Sequence, residues 1–491
     1  MKETNRTMIQ FFEWYLPANS RLWARAAHKA AEMRDIGINM IWLPPAYKGA
    51  SGDKSIGYDV YDTYDLGEFD QKGSVATKYG TKDEYIAAVK ALQQAGIQVY
   101  ADVVLNHMMG ADEAETVTVT EVAADNRYDV ISGEFDIAAR TRFTFPGRGG
   151  KYSDRQWSAS NFSGVDWDDS TGRRGVFLFR GKHWNGETDC ENANYDYLMG
   201  ADLDTDDPDT AAALTEWGKW YLDTVGMDGF RLDAVKHMSF AFYKNWAAEM
   251  RAHAGRDLFI VGEYWSADLA RLTHYLEVLD HSVCLFDVPL HYALQSASAS
   301  DGNFDMSCLF DNCLLSVCPD NAVTFVDNHD TQPEQALQSF ILPWFKPIAY
   351  ALILLQQRGT PCIFYGDLYG IPHDNVAPLP ELRALIKVRE LYAYGPQHDY
   401  FNDADVVGLT REGDEEHENS GLVLLVTNRA AGTKRMYTGP RLAGVTLYDI
   451  FQKIEQPVVV GDDGYADFSV RDGSLSLYMR KEAFDLLFDI T

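Results

Sequence analysis

Three acidic residues, Asp233, Glu263 and Asp330, each stand at the end of a short apolar run, and Arg231 lies two residues before the first of them. The segments read GFRLDAVKH from Gly229, VGEYW from Val261 and FVDNHD from Phe325, with DVVLNH from Asp102 upstream of all three. Carboxylates in apolar surroundings are costly unless paired or used, and several facing one pocket repel one another, which raises at least one pKa. Residues two apart on a strand share a face, so Arg231 is expected to hold Asp233 ionised and aimed. Glu263 has no basic neighbour in sequence and lies beside Tyr264 and Trp265, an apolar setting that lifts a carboxyl toward the range of a general acid. One protonated and one ionised carboxyl across a scissile bond are the equipment of glycoside hydrolysis: the acid protonates the leaving oxygen, and its partner attacks the anomeric carbon or activates water. A buried Arg231–Asp233 ion pair without chemistry would explain one strand end; it does not explain polar sets at four.

Residues so far apart in sequence need a scaffold that brings strand ends together. Eight β-rich apolar runs alternate with helix-patterned stretches: Thr7 to Trp14, Asn39 to Pro45, Ile97 to Leu105, Gly229 to Val235, Leu258 to Tyr264, Cys284 to Leu290, Ala322 to His329 and Pro361 to Tyr369. This pattern predicts an α/β fold, a (β/α)8 TIM barrel, in which the C-terminal strand ends converge on one mouth. The helix after the second strand shows the local logic. Thr81 and Glu84 form a T-x-x-E capping box, Tyr85, Ile86, Val89 and Leu92 keep the helical period, and Gly96 stops it. Two segments break the alternation. Residues 106–208, rich in Gly, Asp, Asn and aromatics, are too long for a loop and predict an irregular β-rich insert domain after strand 3. Residues 398–491 carry short alternating strands and predict a C-terminal all-β Greek-key-type sandwich, which leaves 1–105 and 209–397 for the barrel.

Composition narrows the partners. Lys and Arg number 43 against 73 Asp and Glu, a net charge of −30 that would repel nucleic-acid phosphates and anionic lipid surfaces, so neither nucleic acid nor membrane is expected as a partner. The six cysteines form no CxxC pair and no zinc spacing, and are too sparse for a disulfide scaffold, which points to a reducing compartment. The N-terminus, MKETNR running straight into TMIQFFEW, lacks the pattern of a signal peptide. The expectation is a cytoplasmic monomer.

The four strand-end motifs DVVLNH, GFRLDAVKH, GEYW and FVDNHD, in that order, resemble the signature regions of the α-amylases of glycoside hydrolase family 13. The resemblance covers nearly the whole chain, and GYDVYDTYDLGEFDQKG, NANYDYLMGADLDTDDPD and AYGPQHDYF are most similar to the bacterial liquefying type. It implies that Asp233 is the nucleophile, Glu263 the acid/base and Asp330 the residue that binds sugar hydroxyls in the transition state. It further implies that His107, Arg231 and His329 hold the glucosyl unit, that Tyr58 stacks beneath it, and that Lys236 and His237 contact the leaving-group side. The expected reaction is endo-hydrolysis of α-1,4 bonds in starch- or glycogen-type α-glucans with retention. A maltooligosaccharide-forming or transglycosylating relative is the alternative within the enzyme class, and a non-catalytic glucan-binding protein the alternative outside it.

Asn106, Asp196, Asp202 and the backbone carbonyl of His237 offer hard oxygen ligands, which suit one structural Ca2+ joining barrel and insert. The wider metal cluster of the liquefying relatives is not expected, because Ser163 and Asn185 stand where those proteins carry aspartates, although Asp204 and Asp206 remain. Asn428 likewise replaces an expected Asp near His398 and Asp399.

Overall fold

The computed structural model describes residues 5–483; positions 1–4 and 484–491, at the two ends of the expected barrel and C-terminal module, lie outside the described residues. Eight parallel strands close into a barrel: β1 (Met8–Gln10), β2 (Met40–Leu43), β3 (Gln98–Val103), β4 (Gly229–Leu232), β5 (Phe259–Gly262), β6 (Cys284–Phe286), β7 (Ala322–Phe325) and β8 (Thr360–Phe364), with β8 pairing back onto β1. Each expected run contains one strand, but the ladders stop short of the runs' polar ends. Asp233 and Glu263 therefore lie just past the last ladder bonds and Asp330 in the loop five residues beyond its strand, at the mouth, where their side chains can face a pocket.

Helices between the strands cover the barrel, some by one apolar face and Lys346–Leu354 buried at nearly every position. Lys82–Gln94 begins with the expected capping box: the Glu84 N–H donates to Thr81 Oγ1 and the Thr81 N–H to Glu84 Oε2 at 2.8 Å. It buries Tyr85, Ala88, Val89 and Leu92. Gly96 follows at φ +81, a left-handed turn that costs a glycine nothing and swings the chain into β3.

Between β3 and the helix Pro208–Val225 lies a six-stranded sheet. From edge to edge it runs His107–Met108, Ala201–Leu203, Phe162–Asp168, Arg173–Phe179, Glu113–Val122 and Phe135–Arg142. Its first pairing matters most for the site, since Asp202 lies directly opposite His107. After the helix Leu382–Leu391 the chain becomes all-β, with a six-stranded and a two-stranded sheet packed over buried Val423, Leu425, Met436, Phe468 and Tyr478. A buried arginine ties this module to the barrel: Arg411 donates to the Leu355 carbonyl at 3.3 Å, just past the end of the helix Lys346–Leu354, where Arg389 of the last barrel helix donates to the Gln356 carbonyl at 3.0 Å. All six cysteines are free thiols. Among the described residues no helix is long and apolar enough to cross a membrane.

Candidate active site

Strand register builds the centre of the site. Arg231 on β4 is level with Asp102 on β3 and with Val261 on β5, which brings Asp102 and the β5 end to the same height of the barrel. The guanidinium is wholly buried and serves three carboxylates: Nη1 donates to Asp102 Oδ1 at 3.0 Å and to Asp233 Oδ1 at 2.6 Å, and Nη2 to Glu263 Oε2 at 2.6 Å. Two expectations are corrected here. Glu263 does have a basic partner, supplied across the strand pairing rather than along the chain. Asp233 is not held low: burial lifts its carboxyl, Arg231 opposes the lift, and the neighbouring Asp102 charge adds to it. Burial, with a further push from Asp233, carries Glu263 up to about 7.

The backbone fixes both carboxylates at their roots. The Asp233 N–H donates to the Val103 carbonyl and the Glu263 N–H to the Leu232 carbonyl, each at 2.9 Å. Ala234 then turns at φ 49, left-handed for a residue with a Cβ, at a cost of roughly 1 kcal/mol that the surrounding strands must offset.

Opposite this pair stands Asp330, its carboxyl raised well above the ordinary range by burial and by Glu263. Its position comes from an Asn turn, since Asn328 Oδ1 accepts from the Asp330 and Thr331 N–H groups at 2.9 and 3.0 Å. Asp327, in the same motif, faces away and is bound by Lys346 at 2.8 Å. Gln10 Nε2 donates to His329 Nδ1 at 3.1 Å, so the ring proton sits on Nε2, 3.3 Å from Asp330 Oδ2. Burial and Arg231 keep His329 neutral. Tyr58 stacks on His329 with ring centroids 5.0 Å apart, and Trp14 lies parallel to Tyr58 at 6.5 Å. The Tyr58 hydroxyl and the Trp42 indole both donate to Asp102 Oδ2, at 2.8 and 2.9 Å. The result is an aromatic wall beside a cluster of carboxylates.

His107 links this pocket to the candidate metal residues. Its Nε2 donates to the Tyr58 carbonyl at 2.9 Å, so Nδ1 is an acceptor, and the Asn106 amide nitrogen faces it at 3.2 Å. That leaves Asn106 Oδ1 aimed the other way, buried and without a partner, and Asp202 Oδ2 is orphaned in the same manner. Burial and neighbouring carboxylates push Asp196 up to about 7 and Asp202 well above the carboxylate range, each without a cation. Orphaned hard oxygens of this kind fit a Ca2+ ion. Among the described residues no three His, Cys, Asp or Glu side chains converge as a metal site, so such a set rests on two carboxylates, an amide oxygen and main-chain oxygens. His237 Nδ1 donates to the Tyr195 carbonyl at 2.8 Å, next to Asp196, and burial pushes its pKa down to about 3. Lys236 Nζ pairs with Glu191 of the insert at 2.8 Å. The positions where the wider cluster would sit are internally paired: Asn185 Nδ2 donates to Asp206 Oδ1 at 2.9 Å, and Lys182 Nζ meets Asp204 Oδ2 at 2.5 Å.

Sequence reasoning missed Asp102, Gln10, Trp14 and Trp42. For Asp102 the signal was available, a lone carboxylate inside an apolar run, the same sign that singled out Asp233. For Gln10 and the two tryptophans nothing separated a site residue from core.

The model of the family described as alpha amylase, catalytic domain, matches residues 27–378. An α-amylase from Geobacillus stearothermophilus is 50% identical over 97% of this chain and 87% of its own length. A cytoplasmic α-amylase from Escherichia coli strain K12 is 41% identical over 97% of this chain and 99% of its own. The crystal structure of an α-amylase from Geobacillus thermoleovorans complexed with acarbose, at 19% identity and a TM-score of 0.63 over 97% of both chains, shares the fold. With four motifs at the ends of four barrel strands and this similarity along nearly its whole length, the chain belongs to the α-amylase family of glycoside hydrolases.

Proposed function

We propose that this enzyme hydrolyses internal α-1,4-glucosidic bonds of starch- or glycogen-type glucans with net retention of anomeric configuration. The observation that carries the reading is the single guanidinium of Arg231 holding Asp233 and Glu263 on its two arms. Two carboxylates on one guanidinium that also interact directly with each other suit the retaining geometry of about 5 Å rather than the wider spacing of an inverting enzyme. In the first step an Asp233 oxygen bonds to the anomeric carbon as the glycosidic C–O bond breaks, and Glu263 gives its proton to the departing oxygen. In the second, Glu263, now a carboxylate, takes a proton from water; the water oxygen bonds to the same carbon and the bond to Asp233 breaks. Glu263, which keeps its proton up to about pH 7, suits the acid role. Asp330, with His329 Nε2 beside it, is placed to bind the sugar hydroxyls, and Tyr58 with Trp14 to pack against the ring.

Asn106, Asp196, Asp202 and the His237 carbonyl would hold a Ca2+ ion, which when bound supplies positive charge to two otherwise unpaired carboxylates and joins insert to barrel. The cytoplasm is the proposed location, on the strength of the relative named for it, and the monomer the proposed state. The test is proton NMR of maltoheptaose hydrolysis: α-anomeric product is expected first, and an initial β-anomer refutes the mechanism.

A further inference from the structure

The insert grips both catalytic strand ends through one short stretch, residues 189–195. Asp189 has no solvent-accessible side chain, and both carboxylate oxygens are engaged. Oδ2 accepts from the Tyr264 hydroxyl at 2.5 Å; Oδ1 accepts from Arg271 Nη1 at 2.6 Å and from the Glu191 N–H at 2.7 Å. The Asp189 N–H donates to the Lys236 carbonyl at 3.0 Å, three residues beyond Asp233. Tyr264 directly follows Glu263. Burial and Asp189 keep its hydroxyl protonated, and its ring packs against Tyr275 at 5.4 Å and Phe240 at 6.2 Å.

Successive residues at a strand end point in opposite directions. Glu263 faces Arg231 in the mouth while Tyr264 faces outward to Asp189, so a bond on the outer residue limits rotation of the inner one. Burying a carboxylate costs free energy unless its partners are well placed, and here those partners come from the insert, from the β5 end and from the helix Leu269–Val278 that follows it. No step of the double displacement uses this carboxylate.

We propose that Asp189 is a positioning residue for the general acid: by holding the Tyr264 hydroxyl it fixes the backbone that carries Glu263 and aligns the proton donor with the leaving oxygen. The proposal rests on the assignment of Glu263 as acid. Its signature is dependence on the leaving group. A sugar alkoxide departs only if protonated, whereas a nitrophenolate departs unaided, so in the first step, which kcat/KM reports, a misaligned acid is felt on the first substrate and scarcely on the second; the second step, in which Glu263 acts on water, is common to both.

The test compares the wild-type enzyme with Asp189→Asn and Tyr264→Phe on maltoheptaose and on a nitrophenyl maltooligoside cleaved at its aryl bond. Each variant should lose about tenfold or more in kcat/KM on maltoheptaose and less than about threefold in kcat/KM on the aryl substrate. The double variant should lose no more than the worse single one, since Tyr264→Phe abolishes the bond that Asp189→Asn weakens. Equal losses on the two substrates, or no loss, overturn the proposal. Tyr264→Phe keeps the ring in its packing and serves if Asp189→Asn does not fold. Failure of the underlying reading shows separately, as a wild-type enzyme inactive on both substrates or as a Glu263→Gln variant that loses equally in kcat/KM on the two.

Discussion

Replacing Asp102 by Asn tests whether the acidity of the nucleophile is set by crowding around one guanidinium. Asp102 and Asp233 bind the same nitrogen of Arg231, at 3.0 and 2.6 Å, so their bonded oxygens lie within about 6 Å of each other. At an effective dielectric of about 20, unit charges that close repel by about 3 kcal/mol, equivalent to about 2 pKa units. The Asp102 charge pushes Asp233 upward. Its removal therefore lowers the pKa of Asp233, and the acid limb of kcat/KM moves to lower pH, by about 1 to 2 units once charge delocalisation and side-chain relaxation are allowed for. The same substitution weakens a charge-assisted bond to Arg231, at a cost of about 1.5–3 kcal/mol that should appear as a lower Tm. The assay is a pH–rate profile on a nitrophenyl maltooligoside, with circular dichroism to show that the variant is folded. An acid limb that stays in place or moves upward refutes the argument, because Asp102 would then act by aligning Arg231 rather than by its charge.

Glu263→Gln separates stability from activity. The native carboxyl keeps its proton to about pH 7, while the unfolded chain releases it near its ordinary 4.5, so the stability tied to that proton is complete below the lower value and is lost as pH rises through the upper. The variant should match the wild-type Tm near about pH 4 and exceed it near about pH 8, by up to about 3 kcal/mol of stability; a difference independent of pH counts against the shift. A chelator should lower the Tm, and by more as pH rises from about 5 to about 8, because Asp196, pushed up to about 7, then ionises without a counter-ion. Asp202→Asn should shrink that difference in calorimetry, and a Tm indifferent to chelator near about pH 8 rules out the Ca2+ assignment.

Much of this architecture is legible in the chain because the barrel repeats one local rule. An apolar β-rich run ends in polar residues, and a capped amphipathic helix such as Lys82–Gln94 follows. The candidate carboxylates stand out because Asp233 and Glu263 interrupt that rule where a strand leaves its ladder. What stays hidden depends on register between strands. That Arg231 serves Glu263 as well as Asp233 follows from its pairing with Val261, thirty positions along the chain, and no local pattern encodes it. Asp189 is hidden for another reason. It lies in a run of Gly, Thr, Cys and Asn without periodicity, where an aspartate reads as a turn former, and only the approach of Tyr264 and Arg271 distinguishes it.

The buried carboxylates sort by what neutralises them, and the sorting separates scaffold from chemistry. With 73 acidic and 43 basic residues, many carboxylates have no cation to pair with, and on the surface water suffices. Inside, some are matched to a cation: Asp62 with Arg148, Asp65 with Lys48, Asp327 and Asp367 with Lys346. Others are held by main-chain N–H groups: Asp287 by Leu290, Leu314 and Leu315, and Asp449 by Phe451, Lys453, Ile454 and Leu477. Both classes are satisfied by the protein alone, as a structural role requires. Three groups are not. Asp102, Asp233 and Glu263 share one guanidinium among three charges, the partly buried Asp330 has a neutral histidine at 3.3 Å, and among the described residues Asp196 and Asp202 have no cation. Each deficit is of a kind that a particular visitor removes: a proton and an oxocarbenium-like sugar for the first, sugar hydroxyls for the second, and a divalent cation for the third. A protein folded for stability alone would not bury them this way. On the proposed function, the residues the interior leaves short of charge are the ones that would meet substrate and metal.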